Sequence, residues 1–483
     1  MNRTIHRAAR LALLSLFVAF AAGCARTPVP EIMPTDVPAD WQGPVQSDAE
    51  LWPNTDWWNN FESEELTAII ELVKANNFDY ANNLRNLEAA QIQLRGAGFE
   101  LWPTPNVSIG TGASTSETRF GDGSSTSGSS SGPIDLVASV SYGGILSKPL
   151  DYERSVNDYE SQLAQVASTA LNTMGTAAST YLQLLFIRDQ IEVTRVNLDN
   201  ATQILDFTRA RVDAGVEIPI NLLNQQISVQ SIQNDLTSQI QQDFQVRAAL
   251  ALLIGRGVQG FDVEGQTLEG IAVPTVQPGL PSELLTRRPD LVQAELNLES
   301  AAINVDLARR AFFPSISLNG SASASSPALV DILADPATTT VALSASLAQT
   351  LLDNGGRRRN VEQARLSLET ALANYRRSII EAFNDIEVQL NNIQLIQDQG
   401  LVIQQQLAAA EEQFRLAELR YEQGVANFQT VLNAQLQLFS TRNSVLQNRL
   451  QQLNAIIGFY QSLGGGWEAG EILVETPEYA SAR

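Results

Sequence analysis

The residues able to do chemistry are few, and their positions argue against catalysis. Among 483 residues there is one histidine, His6, and one cysteine, Cys24. Imidazole supplies acid/base work near neutral pH, and a thiolate supplies a nucleophile or a soft metal ligand. Both residues fall at the extreme N-terminus, and the acids form no compact pair. What stands out instead is a set of amides and hydroxyls close to two glycines. Residues 420–435 read RYEQGVANFQTVLNAQ, and residues 211–226 read RVDAGVEIPINLLNQQ. Arg420, Gly424, Val425, Leu432, Asn433 and Gln435 match Arg211, Gly215, Val216, Leu223, Asn224 and Gln226, each pair 209 residues apart. Such residues offer hydrogen bonding and steric fit at a turn.

The leader explains where His6 and Cys24 sit. Arg3, Arg7 and Arg10 make it positive, and Leu11 to Ala22 form an apolar run. That run suits a secretory signal and is short for a membrane span of about 20 residues. It ends in Ala21-Ala22-Gly23-Cys24, which looks like a bacterial lipobox with alanine in place of the usual leucine. Residues 1–23 are expected to be a lipoprotein signal peptide, and Cys24 the lipidated N-terminus. The competing reading is an ordinary signal peptide cut before an incidental cysteine. Ala25 favours sorting to the outer membrane. Cleavage removes three arginines and no acid, which takes the net charge from −22 to −25. The processed chain has no histidine and no free thiol. That excludes His-based catalysis, Cys nucleophiles and His/Cys metal sites. No catalytic residue, metal or cofactor is expected. Strong acidity argues against nucleic acid as a partner. Beyond the leader no apolar run reaches 18 residues, so no transmembrane helix is expected.

The repeat extends well beyond the glycines. Asn86-Leu87-Glu88 matches Asn297-Leu298-Glu299, Asp79 matches Asp290, and Gly255 falls opposite Gly464. Each half reads as helix, strand, loop, strand, very long helix, glycine break, helix. Val361, Ala364, Leu368, Ala371 and Tyr375 begin an apolar stripe that runs on to Tyr421, the mark of an amphipathic helix. Residues 357–422 and 153–212 are expected to be long rods, with 220–254 and 428–463 as returning partners. Helices this long call for coiled-coil packing. Four β-like stretches lie near 105–117, 134–142, 314–325 and 340–350, with alternation in Val107, Ile109, Thr111 and in Val341, Leu343, Ala345. The loop from Arg119 to Gly132 reads as flexible Gly/Ser sequence. Four strands cannot close a barrel in lipid, so a spanning reading needs several chains.

One segment is specific. Gly279-Leu280-Pro281-Ser282-Glu283-Leu284-Leu285-Thr286-Arg287-Arg288-Pro289-Asp290 strongly resembles the signature of the TolC-like outer-membrane factors, in their NodT-like branch of RND efflux lipoproteins. Trp57-Trp58, Ala75-Asn76-Asn77-Phe78-Asp79 and Ala251-Leu252-Leu253-Ile254-Gly255 resemble it too. The resemblance covers residues 24–465. It implies a mixed α/β membrane protein with internal duplication, in which a long coiled-coil α-helical barrel joins four β-strands per chain. In a homotrimer those strands make a twelve-stranded outer-membrane β-barrel. It further implies a passive duct that docks through a periplasmic adaptor to an inner-membrane RND-type pump. The implied divisions are a lipid-anchored segment 24–60, a first repeat 61–254, an equatorial linker 255–288, a second repeat 289–465 and a tail 466–483. A duct for type I protein secretion and a structural coiled-coil envelope lipoprotein are the alternatives. Arg287 and Arg288 are read as salt-bridging or solvated, and Pro289 and Asp290 suit a helix N-terminus.

In that family the glycine turns form the pump-facing tip. Gly215, Val216, Gly424 and Val425 are the expected adaptor contacts. Aspartates often ring the aperture just beyond the turn in relatives. Here those positions hold Asn221, Asn224, Thr430 and Asn433. Tyr421 stands where some relatives use a closing tyrosine, and Asn221 is its expected acceptor. The bland reading has Tyr421 packing between helices at the end of the stripe.

Overall fold

The computed structural model describes residues 26–29, 41–43, 50–111, 115–120, 123–128, 134–277, 281–326, 336 and 338–467. The signal peptide, Cys24 and nearly all of the tail lie outside them. Seven principal helices are described: α1 (Glu64–Asn76), α2 (Phe78–Glu100), α3 (Lys148–Asp213), α4 (Pro219–Leu253), α5 (Pro289–Arg310), α6 (Gly356–Glu422) and α7 (Phe428–Ser462). The two rods expected from the apolar stripe are α3 and α6, of 66 and 67 residues. No described helix is long and apolar enough to cross a membrane.

The strands are β1 (Glu50–Leu51), β2 (Thr104–Thr111), β3 (Thr115–Phe120), β4 (Gly123–Gly128), β5 (Ile134–Gly143), β6 (Val276–Gln277), β7 (Ser315–Ser326) and β8 (Thr338–Ala348). Four of them make one antiparallel sheet in the order β2-β5-β7-β8. These are the four expected stretches, with the first ending at Thr111 rather than 117. The flexible-loop reading of 119–132 needs correction. Overlapping it, β3 and β4 pair antiparallel from Thr115 against Gly128 to Phe120 against Gly123. The sequences TSETRF and GSSTSG are rich in serine and threonine and carry no apolar alternation to announce strands.

The chain divides into two compact units, Met1–Glu31 with Leu87–Gln162 and Ala294–Tyr375, and Ile32–Asn86 with Leu163–Gln293 and Arg376–Arg483. The first holds the four-stranded sheet. There Thr27 donates its N–H to both oxygens of Asp306, at 3.0 and 3.1 Å, which fastens the N-terminal segment to α5. At the start of α6, Asp353 accepts from the Arg357 N–H at 2.8 Å and from its guanidinium at 2.9 Å. Those two bonds hold the Asp353 carboxyl down to about 2.

The second unit carries the main apolar core. Trp57, Trp58 and Phe61 pack with α1, with α3 around Tyr181 to Ile187 and with α7 around Leu453 to Tyr460. The 255–275 stretch is pinned to this core by charge. Glu65 accepts from the N–H groups of Glu264 and Gly265 at 2.6 and 2.9 Å, and from the Tyr181 hydroxyl at 2.9 Å. Arg188 donates to the carbonyls of Val263 and Gly265, at 2.6 and 2.5 Å, and pairs with Asp262 and Asp243. Burial first, and then Glu65, pushes the Tyr181 phenol up to about 12. Arg288 bridges Asp290 at 2.8 Å and Asp385 at 3.3 Å and donates to the Ser462 carbonyl at 3.1 Å. Arg287 instead lies over the Trp52 ring at 5.0 Å. Pro289 and Asp290 open α5.

The duplication appears as backbone contact. A Cβ on Gly255 would stand 2.4 Å from the Asn76 carbonyl oxygen, and one on Gly464 would stand 2.2 Å from that of Arg287. Gly255 and Gly464 are 209 residues apart, and Asn76 and Arg287 are 211 apart, so one close approach is built twice.

Gly464→Ala is expected to lower the melting temperature of the purified protein far more than Gly215→Ala, whose Cβ would meet only open space. Equal losses in thermal unfolding would contradict the close-approach argument. Asp353 has a depressed folded pKa, so its contribution is present above about pH 4 and is lost as pH falls through about 2. The difference in melting temperature between wild type and Asp353→Asn should persist at pH 5 and shrink toward pH 2.

Candidate functional site: the two hairpin turns

Two turns connect the long helices, α3 to α4 and α6 to α7. Each ends its rod the same way. Gly215 and Gly424 both have φ 74, a left-handed conformation that glycine takes without a Cβ penalty. The Val216 N–H donates to the Arg211 carbonyl at 3.0 Å, and the Val425 N–H donates to that of Arg420 at 2.8 Å. The glycine N–H groups reach Val212 and Tyr421 at 2.9 and 3.0 Å. These bonds satisfy the last orphan carbonyls of each rod. The next helix restarts on Pro219 in the first hairpin and on an Asn427 cap in the second. Val216 and Val425 are exposed beside the turns, at 63% and 66%.

Tyr421 is 3% exposed and sits in an aromatic wedge with Phe207, at 5.5 Å, and Phe428, at 6.2 Å. Its expected bond to Asn221 is not formed. The hydroxyl lies 3.4 Å from that of Thr208, and Asn221 donates to Glu217 at 2.8 Å. Glu217 also stands 3.8 Å from Arg211, whose guanidinium lies over the Tyr421 ring at 5.2 Å. Burial, then the Glu217 charge, pushes the Tyr421 phenol up, while Thr208 and Arg211 pull against that shift. A carboxylate two residues past Gly215 therefore claims Asn221 before the tyrosine can.

The remaining tip residues divide by task. Thr430 bonds the Asn427 side chain through its N–H at 3.0 Å and its hydroxyl at 2.8 Å, so it serves the helix cap. Asn224 and Asn433 are exposed, and Asn433 accepts from Gln429 at 2.8 Å. Two buried amides add contacts that the repeat did not foretell, one at Gln225, which the repeat passes over, and one at Gln435, which it names. Gln225 donates to the Ala201 carbonyl at 2.7 Å, and Gln435 donates to the Asn197 side chain at 3.0 Å. Both hook onto α3 about one turn apart, from α4 and α7 respectively. Among the described residues no cluster of His, Cys, Asp or Glu could hold a metal ion.

One chain thus carries an open four-stranded sheet and two Gly-turned helical hairpins on a duplicated plan. The family model for outer membrane efflux proteins matches residues 69–256 and 280–465. The chain belongs to that family. It is 32% identical over 471 residues to the pyoverdine export outer membrane protein OpmQ of Pseudomonas putida, across 95% of this chain and 98% of that protein. It is 26% identical over 487 residues to the toluene efflux pump outer membrane protein TtgC of Pseudomonas putida, across 96% and 99%. The fold matches the solved outer membrane channel CmeC of Campylobacter jejuni with a TM-score of 0.83, at 20% identity, across 93% of this chain and 96% of that one. The protein is thus an efflux channel of the outer membrane, extending into the periplasm, and the family consists of channels rather than enzymes.

Truncation should separate the roles of Tyr421. Tyr421→Ala is expected to cost about 3–5 kcal/mol through the cavity it opens, and Tyr421→Phe under about 1 kcal/mol. Denaturant unfolding of the purified protein reads both. Similar losses would mean that the hydroxyl, not the ring, holds the turn.

Proposed function

We propose that the protein works as a homotrimer, a passive duct that a periplasmic adaptor links to an inner-membrane RND-type pump. The open sheet carries this reading. Strands β2 and β8 are its two edges, and their Val107, Ile109, Val341, Leu343 and Leu347 side chains are exposed. Unpaired strand edges are not tolerated in hydrocarbon, so other copies must complete the barrel, and three copies give twelve strands. The helices support the same assembly. Val388, Leu395, Val402 and Leu416 leave exposed apolar side chains on α6 at spacings of seven or fourteen residues, the period of a coiled-coil seam without its partner. Native mass spectrometry and planar-bilayer recording test the proposal. Three copies with a measurable conductance are expected, and a non-conducting monomer would overturn it.

Gly215, Val216, Gly424 and Val425 are the proposed adaptor contacts, with the glycines serving turn geometry first. The first turn is the more apolar one, since Ile218 and Ile220 are exposed where the second has Asn427 and Gln429. Val216→Asp with Val425→Asp should abolish efflux in cells and leave the trimer intact. Normal efflux by that variant would remove the valines from the docking surface.

The aperture is proposed to be poor in carboxylates at Asn221, Asn224, Thr430 and Asn433. Weak block by cobaltic hexammine or magnesium is expected in single-channel recordings, and strong block at low concentration would contradict it. Cys24 is the proposed lipid anchor. Related channels are named for cargoes as different as pyoverdine and toluene, which fits substrate choice residing in the pump. Substrate accumulation in a deletion strain identifies the cargo.

A further inference from the structure

The junction between β8 and α6 breaks two rules of a solvated surface. Leu351 and Leu352 are 85% and 92% exposed, three and four residues past the end of the strand. They continue the exposed apolar surface of Leu343 and Leu347. Helix α6 then opens on Gly356-Arg357-Arg358-Arg359, with no acid in its first turn. A helix N-terminus carries the positive end of the dipole, so three arginines there are locally unfavourable. Rule-breaking of this kind without internal compensation marks a functional surface.

Only one of the three charges is compensated within the described residues. Arg357 pairs with Asp353 at 2.9 Å and lies over the Phe312 ring at 5.6 Å. Arg359 donates to the Asn354 carbonyl at 2.8 Å, which orients the guanidinium and leaves it cationic. Arg358 is exposed and has no hydrogen-bond or ion-pair partner among the described residues. The same unit adds Arg310, bonded to the Leu146 carbonyl, and Lys148, bonded to the Glu100 carbonyl and lying over the Tyr142 ring at 4.5 Å. In a chain of net charge −22 this is a basic rim beside apolar side chains.

We propose that Leu351, Leu352, Arg358 and Arg359 form a seat for a glycerophospholipid of the periplasmic leaflet, selective for an anionic headgroup. The leucines enter the acyl region, in continuity with the membrane-facing strand. The guanidinium forks take the phosphate, for which their planar donors are shaped. Opposite charge on arginine and lipid selects the anionic headgroup. Arg357 has a different task, holding the cap that aims its neighbours. The seat rests on the outer-membrane location of the channel and goes beyond the duct reading.

The test uses the full-length, lipid-anchored protein in nanodiscs of phosphatidylethanolamine with a minority of phosphatidylglycerol. Native mass spectrometry counts the lipids retained on the assembled channel. Wild type should retain phosphatidylglycerol preferentially, and Arg358→Gln with Arg359→Gln should lower that retention roughly fivefold or more. Arg358→Gln alone disturbs no internal contact, and it should lower retention by a smaller factor. Leu351→Ser with Leu352→Ser should lower retention of both lipids. Arg365→Gln, an exposed arginine further along α6, should change nothing. A wild-type channel without headgroup preference would overturn the seat, as would equal retention by the Arg358 variants. Displacement of the lipid by inorganic phosphate would overturn it in favour of a free-anion site. Recovery of wild type outside the outer-membrane fraction would instead sink the duct reading.

Discussion

A strand edge in hydrocarbon has no water to bond its N–H and C=O groups, and each unsatisfied group there costs several kcal/mol. Much of this protein follows from that constraint. Its sheet has four strands and two free edges, one at β2 and one at β8. A single chain cannot close it, and the proposed homotrimer supplies the missing strand partners. In the proposed homotrimer the helices too can leave apolar seams exposed within one chain, for a neighbouring copy to cover. The seams on α6 and the open edges of the sheet are therefore two answers to one requirement.

The duplicated halves solve their geometry alike and their chemistry differently. Both rods end on a left-handed glycine with the same pair of backbone bonds. Around those matched turns the side chains diverge. Glu217 sits near Arg211 in the first hairpin, whereas the second has Ala426 opposite an exposed Arg420. Tyr421 has Val212 as its counterpart, so the aromatic wedge exists once per chain. The turn that contributes the acid is thus not the turn that contributes the ring.

Long elements were legible because a periodic stripe over sixty residues leaves little room for another reading. Both rods and all four strands of the large sheet agree with the expected ranges to within a few residues, except at the end of β2. The β3–β4 hairpin was missed because Gly and Ser sequence has no face to bury. The bond expected between Tyr421 and Asn221 failed for a different reason: spacing names neighbours along a helix, but Glu217 competes for the amide from the turn itself. Glu65 and Arg188 were invisible for a third reason. The main-chain partners of Glu65 lie 199 and 200 residues away and those of Arg188 lie 75 and 77 away, and main-chain groups carry no sequence signal.

The doubled contact of Gly255 with Asn76 and of Gly464 with Arg287 bears on how such a chain can evolve. What meets there is glycine against mostly main-chain atoms, so the fit depends little on which side chains surround it. A gene that doubles inherits two copies of a joint that asks only for the absence of a side chain. Each half can then drift in charge, polarity and aromatic content without losing its seat. Specialisation of the two hairpins for different neighbours becomes accessible by single substitutions, because the joint that holds them tolerates almost any change except one at its own glycine.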